Sequence, residues 1–250
     1  MKTWIKGVIA ASLIVLGAPA LLAQTPPRYA GWRHGAGFYL WGAGLDGTAT
    51  ARGLDADIDV PFSDLWDALD FGAMLAYRGE SEKWSVMADL IYLDLSSRKV
   101  IGNGAATADV NATEWIVEGD YGYRFNEIYE VFAGFRYTSV DNEVFVTTPF
   151  GFSTRSDSTS WFDPLVGARA KWPLGKKWAI VARGDVGGFG VGADFTWQAI
   201  AHADWQITPA FGVVFGYRIL DVDYDEGSGA NRFVWDVTTS GPVGAITFTF

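Results

Sequence analysis

The chain has 250 residues, no cysteine and a formal charge of −10 at pH 7. Missing thiols exclude a disulfide framework and thiolate chemistry, and the acidic balance argues against nucleic acid, which requires a basic footprint. Apart from the N-terminus, no apolar run approaches the ~20 residues of a membrane helix. Aromatics still make up 16 % of the chain, with 12 Trp. Lipid satisfies no backbone group, so a membrane protein built this way must be a closed barrel.

Residues 1–23 read as an export signal. Lys2 and Lys6 form a positive segment, Val8 to Leu16 an apolar core too short to span, and Ala18-Pro19-Ala20 and Ala23 offer two cleavage sites. Cutting after Ala23 leaves a polar leader over 24–36, and 37–250 form the barrel domain.

Ten strands follow, each alternating with period two. In strand one Tyr39, Trp41, Ala43 and Leu45 alternate with Leu40, Gly42, Gly44 and Asp46. Gly47 to Val60 is a polar loop with room for its own hairpin. Phe62, Leu65, Trp66 and Leu69 recur at helical spacing after Ser63 and Asp64, which can cap the start; this predicts a short amphipathic helix at 62–69 over one barrel mouth. The remaining strands are predicted at 70–78, 84–95, 113–125, 129–146, 161–172, 178–186, 194–205, 211–224 and from about 231 to 250. Polar loops are expected at 98–110 and 147–160, and a Gly-rich turn at 187–192. That turn, Gly188-Phe-Gly-Val-Gly192, has no following helix and so is not a phosphate cradle.

Three regularities support a closed antiparallel up-and-down transmembrane barrel of about ten strands, with eight or twelve as alternatives. Strands of about ten residues alternate apolar with polar. Connections alternate in length, tight turns belonging to the periplasmic side and longer loops outside. Aromatics flank the tight turns: Trp84, Tyr129, Trp172, Trp178, Trp205 and Phe211, with Tyr77, Phe125 and Phe250. This is an interfacial girdle at one membrane face.

The last ten residues, Gly241 to Phe250, place Ile246, Phe248 and Phe250 on one face and Ala245, Thr247 and Thr249 on the other. This resembles the closing strand of bacterial outer-membrane β-barrels, with Pro242 and Gly244 standing where the full pattern carries larger apolar residues. With the signal and the strand architecture, most of the mature chain resembles the small outer-membrane barrels of the OmpA-transmembrane-like and porin-like kind. The resemblance implies a Gram-negative outer-membrane location. It also implies contact with outer-membrane lipid and lipopolysaccharide, and passage via periplasmic chaperones to the barrel-assembly machinery, for which Ile246, Phe248 and Phe250 are the signal. A monomer is expected.

The polar faces collect Arg78, Arg124, Arg136, Arg169, Arg183 and Arg218, with Asp70, Asp89, Glu118, Asp120, Glu130, Asp185 and Asp204. An Arg facing lipid at mid-depth costs ~2–4 kcal/mol, so these residues are expected in the lumen, where Arg and carboxylate form bidentate pairs. Eight strands leave an interior that side chains fill, and open aqueous channels need about sixteen. The network therefore reads as structural glue, or alternatively as a narrow charge-lined conduit.

Known barrel enzymes include proteases and lipid-A acyl hydrolases, which need a His beside a carboxylate or Ser. Only His34 and His202 are present. His202 points inward beside Asp204, but in the periplasmic half, away from the outer loops, and reads as a satisfied luminal histidine. Asp221, Asp223, Asp225 and Glu226 begin like a calcium loop, but Glu226 stands where Gly is needed and Arg232 where Glu is needed. No catalytic residue, cofactor or metal is expected. The function expected is a non-enzymatic barrel, structural or narrowly porin-like. An outer-membrane hydrolase and a surface adhesin or recognition barrel are the alternatives.

Overall fold

The computed structural model describes residues 31–51, 54–101, 106–229 and 232–250. The export signal at 1–23 and most of the 24–36 leader lie outside them. Twelve strands form one antiparallel sheet: β1 (Arg33–Trp41), β2 (Gly44–Ala51), β3 (Leu54–Val60), β4 (Leu69–Glu80), β5 (Trp84–Ile101), β6 (Ala106–Arg124), β7 (Tyr129–Thr148), β8 (Gly151–Leu174), β9 (Trp178–Gly187), β10 (Phe195–Gln206), β11 (Phe211–Glu226) and β12 (Phe233–Thr249). A helix, α1 (Phe62–Ala68), lies between β3 and β4. Pairing of β1 with both β4 and β12 closes ten strands into a barrel, to which β2 and β3 are additional.

The seam uses the end of the chain. Gly35 faces Thr249, Phe38 faces Ile246 and Trp41 faces Val243. The His34 and Phe250 backbones exchange two hydrogen bonds, of 3.0 and 2.9 Å, so the last residue completes the ladder. β1 begins at Arg33, inside the stretch expected to be leader. β2 continues the path of β1 along β12, from Ser240↔Gly44 to Phe233↔Ala51, after a break at Gly42 and Ala43. At that break β12 passes so close that a Cβ on Gly241 would collide with the Gly42 carbonyl.

Two expected loops are strand. β5 and β6 pair outward to Ile101↔Ala106, and β7 and β8 to Thr148↔Gly151. Their Ser, Thr, Asn and charged residues look like loop in the sequence. Yet antiparallel hairpins need only a neighbour to continue, and outside the bilayer both faces can be polar. The stretch Gly47–Val60 is likewise the β2–β3 hairpin rather than a loop.

In α1, Leu65 is buried, while Phe62 and Trp66 remain exposed on the other side. Pro61 is the N-cap and no side chain caps the helix; the Ser63 hydroxyl instead donates to Asp64. The chain re-enters the sheet through a register shift between Leu69 and Phe71. Asp70 falls in this bulge and is exposed, not luminal. Leu69↔Leu95 is the outermost rung between β4 and β5; beyond it β3 and β5 do not pair. Hydrocarbon tolerates no open sheet edge, so the hydrocarbon layer ends at or below that rung. The packed aromatics Phe71, Tyr92 and Trp115, 5.9 and 4.6 Å apart, lie at the same level. At the opposite end Trp84, Tyr129, Trp172, Trp178 and Trp205 are all exposed, as a lipid-facing girdle requires, with Trp178 stacked on Trp205 at 5.3 Å. Phe211 is half-buried against Phe248.

Deleting Phe250 removes both seam hydrogen bonds to His34 and one terminal girdle side chain. The expected outcome is a several-fold fall in folded barrel in the outer membrane, read as the heat-shiftable band on a gel. Normal levels of the truncated protein would show that the last rung is dispensable.

Candidate functional site

The buried charged side chains of the described residues converge in the lumen. Inward positions change character with depth along the strands. On β5 the order from the periplasmic end is Ser85, Met87, Asp89, Ile91, Leu93, Leu95, all buried. On β11 the small or apolar Gly212, Val214 and Gly216 come first, followed by Arg218, Leu220, Val222 and Tyr224. The periplasmic and middle lumen therefore holds most of the buried charges, and the outer lumen is a mainly apolar core that also encloses Glu114, opposite Leu93 and Val140. That core includes Leu45, Leu65, Leu93, Ile116, Val140 and Trp235, with Trp161 stacked on Tyr224 at 4.7 Å.

Of the residues expected in the charge network, Arg78, Asp89, Glu118, Asp120, Glu130, Arg136, Arg169, Arg183, Asp185, His202, Asp204 and Arg218 are all buried. Arg124 is not part of it: it is half-buried at the periplasmic mouth and donates to the Ser81 carbonyl. Two groups form. In the middle, Glu118 accepts from Arg136 Nε and Nη2 at 3.0 and 2.9 Å through one oxygen, and from Arg183 at 2.6 Å through the other. Asp185 accepts from Arg136, Arg183 and Gln198. Asp120 lies 3.0 Å from Arg183, and the Arg183 guanidinium sits 4.3 Å over the Phe132 ring. Gly134 makes room for this group, because a Cβ there would collide with the Asp120 carboxylate.

Nearer the periplasm, Glu130 binds Arg78 and accepts from Ser85 at 2.6 Å, with Arg169 at 3.7 Å. Arg78 also donates to Glu80, which pairs with Arg33. His202 Nδ1 lies 2.7 Å from Asp204, and Lys171 lies 3.9 Å from the same carboxylate. A void of about 10 Å³ remains between Arg78, Ser85, Asp120, Glu130, Arg169 and Arg183, enough for one water.

Sequence reasoning missed several members. Tyr39 donates to both oxygens of Asp89, at 3.0 and 2.9 Å. Trp41 donates to the Gly241 carbonyl and carries the Arg218 guanidinium 4.4 Å over its ring. Among the described residues that guanidinium has no hydrogen-bond partner. Glu80, Lys171 and Gln198 are also inside. The available signal was phase: β1 shares its inward phase with Ala245 and Thr247 across the seam, which turns Tyr39 and Trp41 inward and Phe38 and Leu40 outward.

The remaining polar motifs stay outside the network. His34 stacks between Tyr77 and Phe250, with Nδ1 2.7 Å from the Tyr77 hydroxyl. In the acidic stretch, Asp221 accepts from Thr238, Tyr224 donates to Glu226, and Arg232 binds Asp225 through two hydrogen bonds. The Arg232 contact holds the Asp225 carboxyl below its usual range. These acids brace the β11–β12 hairpin, and no group of three or more metal-binding side chains occurs among the described residues.

A closed ten-strand barrel with apolar and aromatic side chains outward and paired charges inward defines an outer-membrane β-barrel protein. The model of the autotransporter beta-domain matches residues 63–188, and the chain belongs to that family. It resides in the Gram-negative outer membrane. Among solved structures it is similar to the outer membrane protease OmpT from Escherichia coli, at 10 % identity and a TM-score of 0.52, covering 92 % of this chain and 99 % of that one. It is also similar to Ail, the attachment invasion locus protein of Yersinia pestis, at 14 % identity and a TM-score of 0.37, covering 88 % and 98 %. A third similar structure is the translocator domain of autotransporter NalP from Neisseria meningitidis, at 11 % identity and a TM-score of 0.35, covering 90 % of each chain. These likenesses show the fold alone. No curated protein matches the chain.

Removing one partner of a buried ion pair costs about 3–5 kcal/mol, because the other charge is left uncompensated. Glu118→Gln strands parts of two guanidinium groups and is expected to destabilise the barrel by about that much. Arg218→Met removes a cation that makes no hydrogen bond and faces Asp89 and Glu118 only at longer range, and keeps a flexible apolar chain against Trp41, so it is expected to cost less than Glu118→Gln. Urea unfolding in lipid vesicles followed by Trp fluorescence ranks the two; the reverse order would refute the network's assignment.

Proposed function

We propose that this protein is a non-enzymatic, sealed barrel whose work is structural: it fixes long outer strands in the membrane and holds their polar ends clear of the bilayer. The observation that carries this is a lumen occupied at every depth, by charged side chains, most of them paired, below and a mainly apolar core above. A sealed interior favours the structural role over the narrow conduit. Support for the non-enzymatic reading comes from the His202–Asp204 pair, whose two side chains are fully buried, away from the outer surface.

The same reading takes residues 1–23 as the export signal. It takes Ile246, Phe248 and Phe250 as the signal for the barrel-assembly machinery, reached with periplasmic chaperones. The first two present exposed apolar side chains on the lipid face of β12. A monomer suffices, because ten strands close without a second copy.

Planar-bilayer recording of the refolded mature chain tests this. Folded wild-type protein is expected to be electrically silent, whereas Arg136→Ala, which removes one of the two guanidinium side chains that fill the middle layer, is expected to give small fluctuating currents. A steady wild-type conductance whose ion preference changes in Arg136→Ala would replace the structural reading with the conduit.

A further inference from the structure

The β7–β8 hairpin ends in aromatic side chains that the fold does not use. β7 leaves the periplasmic girdle at Tyr129. A membrane strand needs ~9–11 residues, so the hydrocarbon ends near Ser139. Residues 140–148 continue beyond it, about 30 Å of strand at ~3.3 Å per residue. At the far end Pro149 and Phe150 make a two-residue turn between Thr148 and Gly151. The Thr148 hydroxyl braces that turn, donating to the Gly151 carbonyl at 3.0 Å and accepting from the Phe150 N–H at 3.3 Å. Phe150 is 100 % exposed, and Phe152, 77 % exposed, stacks on Phe145 at 5.7 Å. Val100, on the adjacent β5–β6 hairpin, shares the row of Phe152 and is exposed too.

Two features set this tip apart from the lipid face below it. Asp141, Glu143, Ser156 and Ser158, all exposed, lie between it and the girdle residues Tyr137 and Phe162, so the aromatic surface is interrupted by a polar band. The charge also changes sign. In the outermost rows, Ser97↔Val110 to Ile101↔Ala106 and Val144↔Arg155 to Thr148↔Gly151, the charged residues are Arg98, Lys99, Arg155 and Asp109. Cations outnumber acids there, in a chain whose formal charge is −10, and the one carboxylate is paired with Arg98.

A Phe left in water contributes nothing to folding, so this patch is accounted for by what it meets. A stable protein interface takes ~800 Å² per partner. Three Phe side chains offer roughly 450–750 Å², on a convex tip one hairpin wide. A bilayer surface needs no matching shape. It accepts aromatic side chains at headgroup level, and when anionic it attracts neighbouring Lys and Arg. The barrel's own bilayer lies below the polar band, so the surface concerned belongs to a different membrane.

We propose that the β7–β8 tip inserts into the headgroup region of a second, anionic bilayer facing the outer membrane, so that the barrel joins two membranes. This goes beyond the structural reading and does not depend on whether the lumen is sealed.

The test uses the full barrel in nanodiscs of phosphatidylcholine, mixed with sucrose-loaded vesicles of phosphatidylcholine with or without phosphatidylserine. Sedimentation with the vesicles is expected, more strongly when phosphatidylserine is present. Phe150→Ala with Phe152→Ala is expected to weaken it by about tenfold or more, and Phe150→Trp with Phe152→Trp to preserve it. Lys99→Gln with Arg155→Gln is expected to remove most of the preference for phosphatidylserine. All four positions lie beyond the hydrocarbon, so the heat-shiftable mobility of the folded barrel should not change. No sedimentation with either vesicle overturns the proposal, as does sedimentation unchanged by the paired Phe→Ala substitutions. Binding indifferent to phosphatidylserine overturns the anionic assignment. Sedimentation only with vesicles that themselves carry the barrel gives the tip to a second copy of the chain and overturns the lipid assignment.

Discussion

Hydrocarbon offers a peptide group no hydrogen-bond partner, so everything in this molecule depends on closing the strand ladder where lipid surrounds it. Closure falls on the join between the first and last strands, which are farthest apart in sequence. Seven rungs from Gly35↔Thr249 to Trp41↔Val243 make that join, and the two-way bond between His34 and Phe250 ends it. Small residues recur along the seam, at Gly35, Ala36 and Gly37 on β1 and at Gly241, Gly244 and Ala245 on β12. They allow close approach, which at Gly241 is obligatory because the Gly42 carbonyl occupies the space of a Cβ.

Once closed, a wall this narrow must fill itself. Charged side chains in the lumen avoid lipid but lose water, a cost recovered only when each charge finds a partner. Glu118 stands between Arg136 and Arg183, and Asp185 connects the same two cations to Gln198. The chain thus uses one acid for two bases and couples β6, β7, β9 and β10 across the interior rather than along the wall. Arg218 is satisfied differently, by the face of Trp41, which an aromatic quadrupole permits. Above this layer the interior changes to hydrophobic packing of the kind found in soluble proteins. The outer strands stand beyond the bilayer, and their inward faces need a core of their own.

The lipid-facing half of the design was the legible half. Period-two alternation, tight turns flanked by Trp and Tyr, and a terminal Phe each reflect contact with a uniform solvent, so local sequence reports them. The luminal half is legible as polarity but not as pairing. Nothing local says that Glu118 meets Arg183, 65 residues away. The shift from Asp89 to Ile91, Leu93 and Leu95 on one face of β5 was open to reading, yet an apolar lumen contradicts the expectation that a barrel interior is polar. The outer strand ends were obscured for a related reason. Beyond the bilayer neither face is obliged to be apolar, so 147–160 carries no alternation and resembles a loop although its hydrogen bonds continue to Thr148↔Gly151. Asp70 was misplaced because a bulge next to α1 shifts the phase there.

The helix follows from the same ladder. Between Phe38 and Leu45 the upward path uses seven residues, while the path beside it, from Val60 to Leu75, uses fifteen. The eight surplus residues cannot stay in an extended wall. Pro61, which has no N–H to donate, begins the helix that absorbs them. With α1 seated by Leu65 in the outer core, β3 is held against β2 alone and the outer part of β5 against β6 alone. Such open edges are forbidden in lipid and harmless in water. The helix therefore sits where the change of solvent allows it, with Phe62 and Trp66 exposed at that boundary, the position aromatic side chains prefer at a membrane interface. A longer insertion at the same point could be accommodated outward; one placed a turn lower on β4 would break the closure on which the barrel rests.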